Sequence, residues 1–441
     1  MRVLLAAVAM VLLAGCAGYS DRVGTMERMI ATGHPERALR LLEEEDEQGR
    51  DALLTLLNRA ILQRMKGDYA ASTASLEAAK RLSEHFATLS VSEQAGALTV
   101  NDALRAYAGE PYERVFIHVF EALNYLQQDR LPDARVEALQ LDLLLRQLPE
   151  DAPDAAGVAR YLAGLIYESL HEWDDALIAY RKSYQAYSRA GGGVPLYLQR
   201  DLLRLTRQLG REAEWQDYRR RFGDAVAAGA DAALAGGEVV VFLCAGLAPV
   251  KRDVVVPVYS GAGRLVSVAL PYVETRRAAV AAARVGAAGA TAPAEMMVDV
   301  NTLAVQALER NMPAITARAV ARAVAKYQAA KKAEEDGGPL LGAAINIAGL
   351  VSERADTRSW STLPNRIFMA RLPLAPGRYD VTLSWRDDGE ARRVFKGVTV
   401  TAGRKRFFGV HVVSVADLRP TGGPPPRTVI DLRLQGRRRG Q

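Results

Sequence analysis

A spacing of 34 residues organises the amino-terminal half of this chain. Gly33 and Gly67 stand 34 residues apart, and so do Ala38 and Ser72. The surrounding stretch, residues 21–225, is rich in Ala, Leu, Arg and Glu. It carries apolar residues three and four positions apart and almost no strand signal. Self-similarity at such a period means a small helical unit that cannot bury its apolar face alone, so neighbours must stack into one core. In Gly67–Ser72 a glycine closes one helix, Tyr69 opens the next, and small Ser72 three places later permits close helix crossing. With 441 residues, 49% of them hydrophobic and 24% charged, the chain has ample material for buried cores and is not disordered as a whole.

The fullest copy runs over residues 161–184, with Gly164, Tyr167, Trp173, Ala176 and Tyr180 at its small and large positions. Another uses Tyr125, Leu131, Ala134 and Ala138, and a degenerate last copy uses Leu205, Gly210 and Trp215. Small residues let paired helices approach, and aromatics fill the gap to the next pair. This pattern resembles the tetratricopeptide repeat. The resemblance implies an α-solenoid over residues 24–225 whose concave surface holds a peptide or protein partner, which is binding rather than chemistry.

The chain opens MRVLLAAVAMVLLAGCAGYS, with Arg2 ahead of the apolar run Val3–Leu13. That run falls short of the roughly 20 residues a spanning helix needs, and fits a secretory signal. Leu13-Ala14-Gly15-Cys16 resembles the bacterial lipobox, which implies removal of residues 1–15 and lipidation of Cys16, with residues 16–23 as a tether. Ala17 replaces the aspartate of inner-membrane retention, so by that resemblance the expected location is the outer membrane, facing the periplasm. Cys244 then has no partner and, inside the run Val239–Cys244, is expected to be a buried small hydrophobe.

Composition changes near Gly223. Residues 226–237 are Ala- and Gly-rich and read as a linker, and residues 238–418 read as a mixed α+β domain. Strands are expected over 239–244, 265–270, 367–372, 379–385, 391–400 and 405–415, the later ones as a β-meander. Residues 277–285 and 296–300 are expected to pair. A helical insertion, 301–354, is expected as one helix from Asn301 to Asn311, another from Pro313 to Lys332, and a packed helical hairpin using the apolar stretch 339–351. Pro376-Gly377-Arg378-Tyr379 resembles the turns of small β-sandwich modules in surface proteins. Residues 419–441 read as a Pro/Gly-rich, basic tail.

Two segments stand out as candidate contact sites. Tyr112, Glu113 and Arg114 follow the break Gly109-Glu110-Pro111, where they either present an aromatic and a charge pair or cap an ordinary loop. Asp356, Arg358, Trp360 and Asn365 form the densest polar and aromatic cluster, either a site for a partner or glycan or a loop locked by salt bridges. His34, His85, His118, His171 and His411 are dispersed, which predicts no metal site. No dinucleotide fingerprint, Walker loop or nucleophile elbow is present, so no cofactor and no catalytic residue are expected. A net charge of +6 without a concentrated basic face gives no reason to expect nucleic acid.

The strings GEPYERV, NYL at 124–126, ARVEA at 134–138 and ADTRSWSTLPNR resemble a family of bacterial tetratricopeptide lipoproteins of the cell envelope. That family lends no catalytic residues to transfer. The expectation is a non-enzymatic periplasmic scaffold, lipid-anchored to the membrane through Cys16, with an envelope protein on its helical array and a second partner or peptidoglycan-type glycan on its α+β domain. The alternatives are a glycan-modifying activity around Asp356 and Arg358, or a pilotin-like secretion factor.

Overall fold

The computed structural model describes residues 18–43, 49–93, 106–149, 155–231, 236–259, 265–338, 354–387, 389–421 and 430–431. Cys16, the stretch 339–351 and most of the 419–441 tail lie outside them.

The amino-terminal half is a run of helix hairpins. They pair α1 (Gly18–Ala31) with α2 (Pro35–Glu43), α3 (Ala52–Met65) with α4 (Tyr69–Glu93), and α5 (Pro111–Gln127) with α6 (Leu131–Gln147). They continue with α7 (Ala156–Ser169) and α8 (Trp173–Ala190), then α9 (Leu196–Gln208) and α10 (Glu212–Phe222). All five turns are built alike. Their middle residue is left-handed: Gly33, Gly67, Asp129, His171 and Gly210, with φ between 58° and 83°. The residue after it sends its N–H to a carbonyl five back, as from His34 to Met29, Asp68 to Gln63, Arg130 to Tyr125, Glu172 to Tyr167 and Arg211 to Thr206. This double-bonded helix stop satisfies carbonyls that the ended helix would leave bare.

Five residues beyond each left-handed position stands the helix-crossing residue. Ala38, Ser72, Ala134 and Ala176 are fully buried there. The fifth hairpin has Trp215 instead, half-buried and flanked by the guanidinium groups of Arg207 and Arg219 at 5.3 and 5.4 Å. The final crossing is therefore looser than the other four. The repeats expected from the sequence are thus present as architecture.

The segment expected as a linker carries α11 (Asp224–Asp231), whose Ala227 and Ala230 join the core. Strand β1 (Gly237–Ala245) follows. Ten further strands complete the second half: β2 (Val250–Tyr259), β3 (Leu265–Glu274), β4 (Ala282–Ala287), β5 (Ala290–Pro293), β6 (Glu295–Asp299), β7 (Arg366–Leu374), β8 (Gly377–Arg386), β9 (Glu390–Val400), β10 (Lys405–Val412) and the short β11 (Ile430–Asp431). They form three sheets, β10-β1-β7-β6, β5-β4-β8-β9 and β11-β2-β3.

The expected meander is not what forms. Of the strands expected in it, β8 and β9 pair as a hairpin, but β7 and β8 belong to different sheets, and β10 lies parallel to β1. The pairing expected between 277–285 and 296–300 is also absent, since β4 pairs with β5 and β8 while β6 pairs with β7. Burial explains the rearrangement. β1 has two apolar faces: Val239, Val241 and Leu243 meet Val285, Val381 and Leu383 of the second sheet, while Val240, Phe242 and Cys244 join the helices. A strand covered on both sides takes the centre of a sheet and draws in neighbours distant in sequence.

The two expected helices Asn301–Asn311 and Pro313–Lys332 are one, α12 (Val300–Gly337), which runs through Pro313. Its cap is Asp299, which accepts from the Thr302 N–H at 3.2 Å. The backbone bond lost at Pro313 is outweighed by Ala319 and Val320 packing on Val254, Val256, Val268 and Leu270 of the β2–β3 hairpin.

Candidate functional site

The first-position helices α3, α5, α7 and α9 turn one face to the α+β half, and that half fills it. One continuous core holds Leu57, Phe120, Tyr161 and Leu198 from the helices together with Val240, Phe242, Trp360, Met369 and Phe407. The inner surface that the repeat pattern reserves for a partner is occupied by the chain's own second half.

Charge reinforces this seam. Arg276 pairs with Glu27, Arg358 with Asp51, Lys251 with Glu110, Arg406 with Asp129, Lys405 with Glu168 and Arg371 with Asp201. In all six pairs the carboxylate comes from the helical half and the cation from the α+β half. Lys405, Arg204 and Arg371 hold the buried Glu168 carboxyl far below its usual range despite burial, which alone would raise it. Arg64 meets His411 across the same boundary, and burial beside that cation holds the imidazole well below its ordinary pKa. Burial raises the Cys244 thiol to about 12, so this cysteine is a packing residue, as its apolar surroundings in sequence suggest.

The two candidate segments meet at this seam. Pro111 opens α5, and the Glu113 carboxylate turns back to accept the Glu110 N–H at 2.9 Å, which closes the helix start. Glu113 also accepts the Trp360 N–H at 2.8 Å and the Tyr107 hydroxyl. Trp360 is fully buried, edge-on to Phe120 at 6.1 Å. Arg358 bonds both oxygens of Asp356, reaches Asp51 at 3.0 Å, and lies over the Tyr107 ring. Asn58 accepts from the Thr362 N–H at 3.2 Å and from its hydroxyl at 2.9 Å.

Tyr112, Glu113, Arg358, Trp360 and Asn365 are buried, whereas Arg114 and Asp356 are half-buried. The expected contact site is therefore a weld between the two halves, and most of it is closed to an outside partner. Asp356 is held in an ion pair by Arg358 at 2.8 Å.

A second polar cluster lies inside the helical half. Lys80 of α4 reaches Glu121 of α5 and Glu137 of α6, each at 3.0 Å, and Glu77 at 3.3 Å. His118 Nδ1 lies 2.8 Å from Glu137. Burial, then the Glu137 charge, pushes the Glu121 carboxyl up to about 9, while His118 and Lys80 hold Glu137 below its usual range in spite of burial. His118, Glu121 and Glu137 each offer a ligand atom within 4.8 Å of the others, so the fold gathers three potential metal donors that the dispersed histidines did not suggest. The Lys80 ammonium, however, already stands between the two carboxylates as their cation. His118 and Glu121 are three apart on one helix face, a spacing visible in the sequence; Glu137 and Lys80 arrive only through packing.

Beside this cluster opens a groove of about 490 Å³ between α4, α5 and α6. Lys80, Arg81 and Arg114 line it together with Ile117, Leu143 and Leu144. On the outer face of α6, Val136, Leu139 and Leu143 are exposed at 49%, 43% and 58%. Their spacing of three and then four residues places them in one stripe.

No protein-family model matches the chain, and no curated protein does. Solved helical-repeat structures align with about half of it. MamA from Desulfovibrio magneticus RS-1 is 13% identical over 48% of this chain and 94% of that one, with a TM-score of 0.30. A Podosopora anserina putative kinesin light chain with nearly identical TPR-like repeats is 13% identical over 48% and 94%, with a TM-score of 0.32. Pseudomonas aeruginosa PilF is 17% identical over 48% and 96%, with a TM-score of 0.23. The repeat architecture of this protein rests on its own five matched turns and crossing residues.

Proposed function

We propose that this protein is a non-enzymatic, lipid-anchored scaffold of a bacterial envelope complex that engages its partner through the outer face of the helical array. The observation that carries the reading is that the α+β half fills the inner face, while α6 keeps an apolar stripe exposed beside a cation-lined groove. Three large apolar side chains in line on one helix of a folded chain favour a contact with another protein. The chemistry of the groove suits an amphipathic helix whose apolar side meets Leu139 and Leu143 and whose carboxylates meet Arg81 and Arg114. Anchoring through Cys16 in the periplasmic leaflet of the outer membrane completes the proposal and rests on the lipobox resemblance.

The test is crosslinking in intact envelopes followed by capture on the tagged chain. A partner recovered with the natural protein and lost with Leu139→Glu/Leu143→Glu supports the reading. Equal recovery with both proteins, or recovery of nothing but the bait, overturns it. For the anchor, Cys16→Ser is expected to abolish incorporation of labelled fatty acid; continued incorporation would refute that part.

A further inference from the structure

A cavity of about 430 Å³ lies between α1, the start of β2 and the loop 357–361. Four cations line it: Arg28, Lys251, Arg252 and Arg276, with Glu27 as the carboxylate among them. Hydroxyl groups of Thr25, Thr357 and Ser361 complete the wall.

Two atoms here are unusual. Arg276 Nη2 donates to Glu27 Oε2 at 2.7 Å, yet Arg276 Nη1 and Glu27 Oε1 have no hydrogen-bond partner among the described residues. Both side chains are more than nine-tenths buried. A donor and an acceptor left bare in a buried ion pair cost stability unless something supplies the matching acceptor and donor. Arg276 is also held in place. Its carbonyl accepts from Asn301 Nδ2 at 2.9 Å and Asn365 Nδ2 at 3.1 Å, and its N–H donates to Asn301 Oδ1 at 3.3 Å. Asn365 thus acts as a positioning residue for this guanidinium.

We infer that this cavity binds a polyol phosphate, the phosphate meeting Arg276 with Arg28 and Arg252 at the mouth, and a ligand hydroxyl donating to Glu27. A bare anion satisfies the guanidinium but not Glu27 Oε1; Lys251, Arg252 and Arg276 already pair with Glu110, Glu274 and Glu27, and a neutral sugar leaves the Arg28 charge unmet. A phosphate ester carrying hydroxyl groups answers both requirements. Its source is either a phosphoglycerol lipid headgroup or a free polyol phosphate. The headgroup is favoured by position, a step that rests on the anchor proposed above. Val23, at the cavity wall, is seven residues after Cys16, five of the steps helical, a reach of at most about 15 Å from the bilayer at ~3.5 Å per extended and ~1.5 Å per helical residue.

The experiment is calorimetric titration of the full chain in nonionic detergent with glycerol 1-phosphate and with inorganic phosphate. Parallel titrations use micelles doped with phosphatidylglycerol or, as control, phosphatidylcholine. Saturable binding of glycerol phosphate, tighter than inorganic phosphate, is expected. Glu27→Gln/Arg276→Gln is expected to weaken it by about ten-fold. Arg28→Gln/Arg252→Gln, which alters exposed side chains and leaves the core untouched, should weaken it several-fold and flatten its salt dependence; it decides the matter if the first variant does not fold. Binding of phosphatidylglycerol micelles above the control identifies the headgroup as the ligand, and binding of the soluble ester alone identifies a free polyol phosphate. No saturable binding of either phosphoglycerol probe, or binding unchanged by the Arg28/Arg252 substitutions, overturns the inference. The soluble arm does not depend on lipidation or on any protein partner, so its result stands whatever becomes of the scaffold reading.

Discussion

Glu121 shows how much a single buried side chain can control. It is fully buried, and its carboxyl is raised to about 9 by burial and by the Glu137 charge. A carboxyl whose folded pKa lies above its ordinary value binds its proton more tightly in the folded state. Its contribution to stability is then present at low pH and is lost as pH rises from about 4.5 towards 9. Glu121→Gln keeps the shape and cannot ionise. It is expected to leave stability unchanged near pH 5 and to raise it by about 1–3 kcal/mol at pH 9. Chemical denaturation at the two pH values checks this, and an equal effect at both refutes it. Lys80→Met removes the cation beside the buried Glu137 carboxylate and should cost about 3–5 kcal/mol, read by the same method. At this scale the sequence was partly legible. The polar density at Asp356–Asn365 and the capped start at Glu110–Glu113 are visible in one dimension. That Trp360 donates to Glu113, and that both are buried, follows from a contact across 247 residues that no local pattern encodes.

Within the helix pairs, close approach is set by small residues, and Gly164 is the sharpest case. A Cβ at Gly164 would overlap the Tyr180 ring, whose hydroxyl is bound to Glu168. Gly164→Ala is therefore expected to cost about 1–3 kcal/mol through overpacking, most of it recovered on adding Tyr180→Leu. Additive losses in the double variant would refute the clash. The turns behave in the opposite sense. His171 is left-handed at φ 62°, a conformation glycine adopts without strain, so His171→Gly should stabilise the α7–α8 hairpin by up to about 1 kcal/mol, measured as a higher melting temperature. Where such turns carry glycine, at Gly33, Gly67 and Gly210, the element boundary is readable from sequence. At Asp129 and His171 the same geometry is imposed by the hairpin itself and leaves no compositional mark. Strand identity was likewise readable where apolar residues run together, but pairing was not, because β1 takes partners more than 120 residues away on both sides.

At the scale of the whole molecule, the expectation of two bodies joined by a linker gives way to two halves that share a core and a charge-matched seam. The helical half contributes Glu27, Asp51, Glu110, Asp129, Glu168 and Asp201, and the α+β half answers each with a cation. The buried pairs among them, all but Arg406–Asp129, favour one docking register more than they add net stability, since desolvation offsets much of the attraction. Once the register is set, however, removing one partner strands the other. Arg371 is the strongest case, because it faces Asp201 and Tyr161 from the helices and Glu238 from its own sheet. Arg371→Met would leave Asp201 with Arg204 alone and Glu238 with Lys405 alone, and is expected to cost about 3 kcal/mol. The informative measurement is where the loss is felt. If the seam makes one cooperative unit, hydrogen exchange in α7, in β1 and in β8 should accelerate together and by the same factor in this variant. Faster exchange confined to the sheets, with α7 still protected, would show that the array stands by itself and that its inner face can be vacated for another occupant.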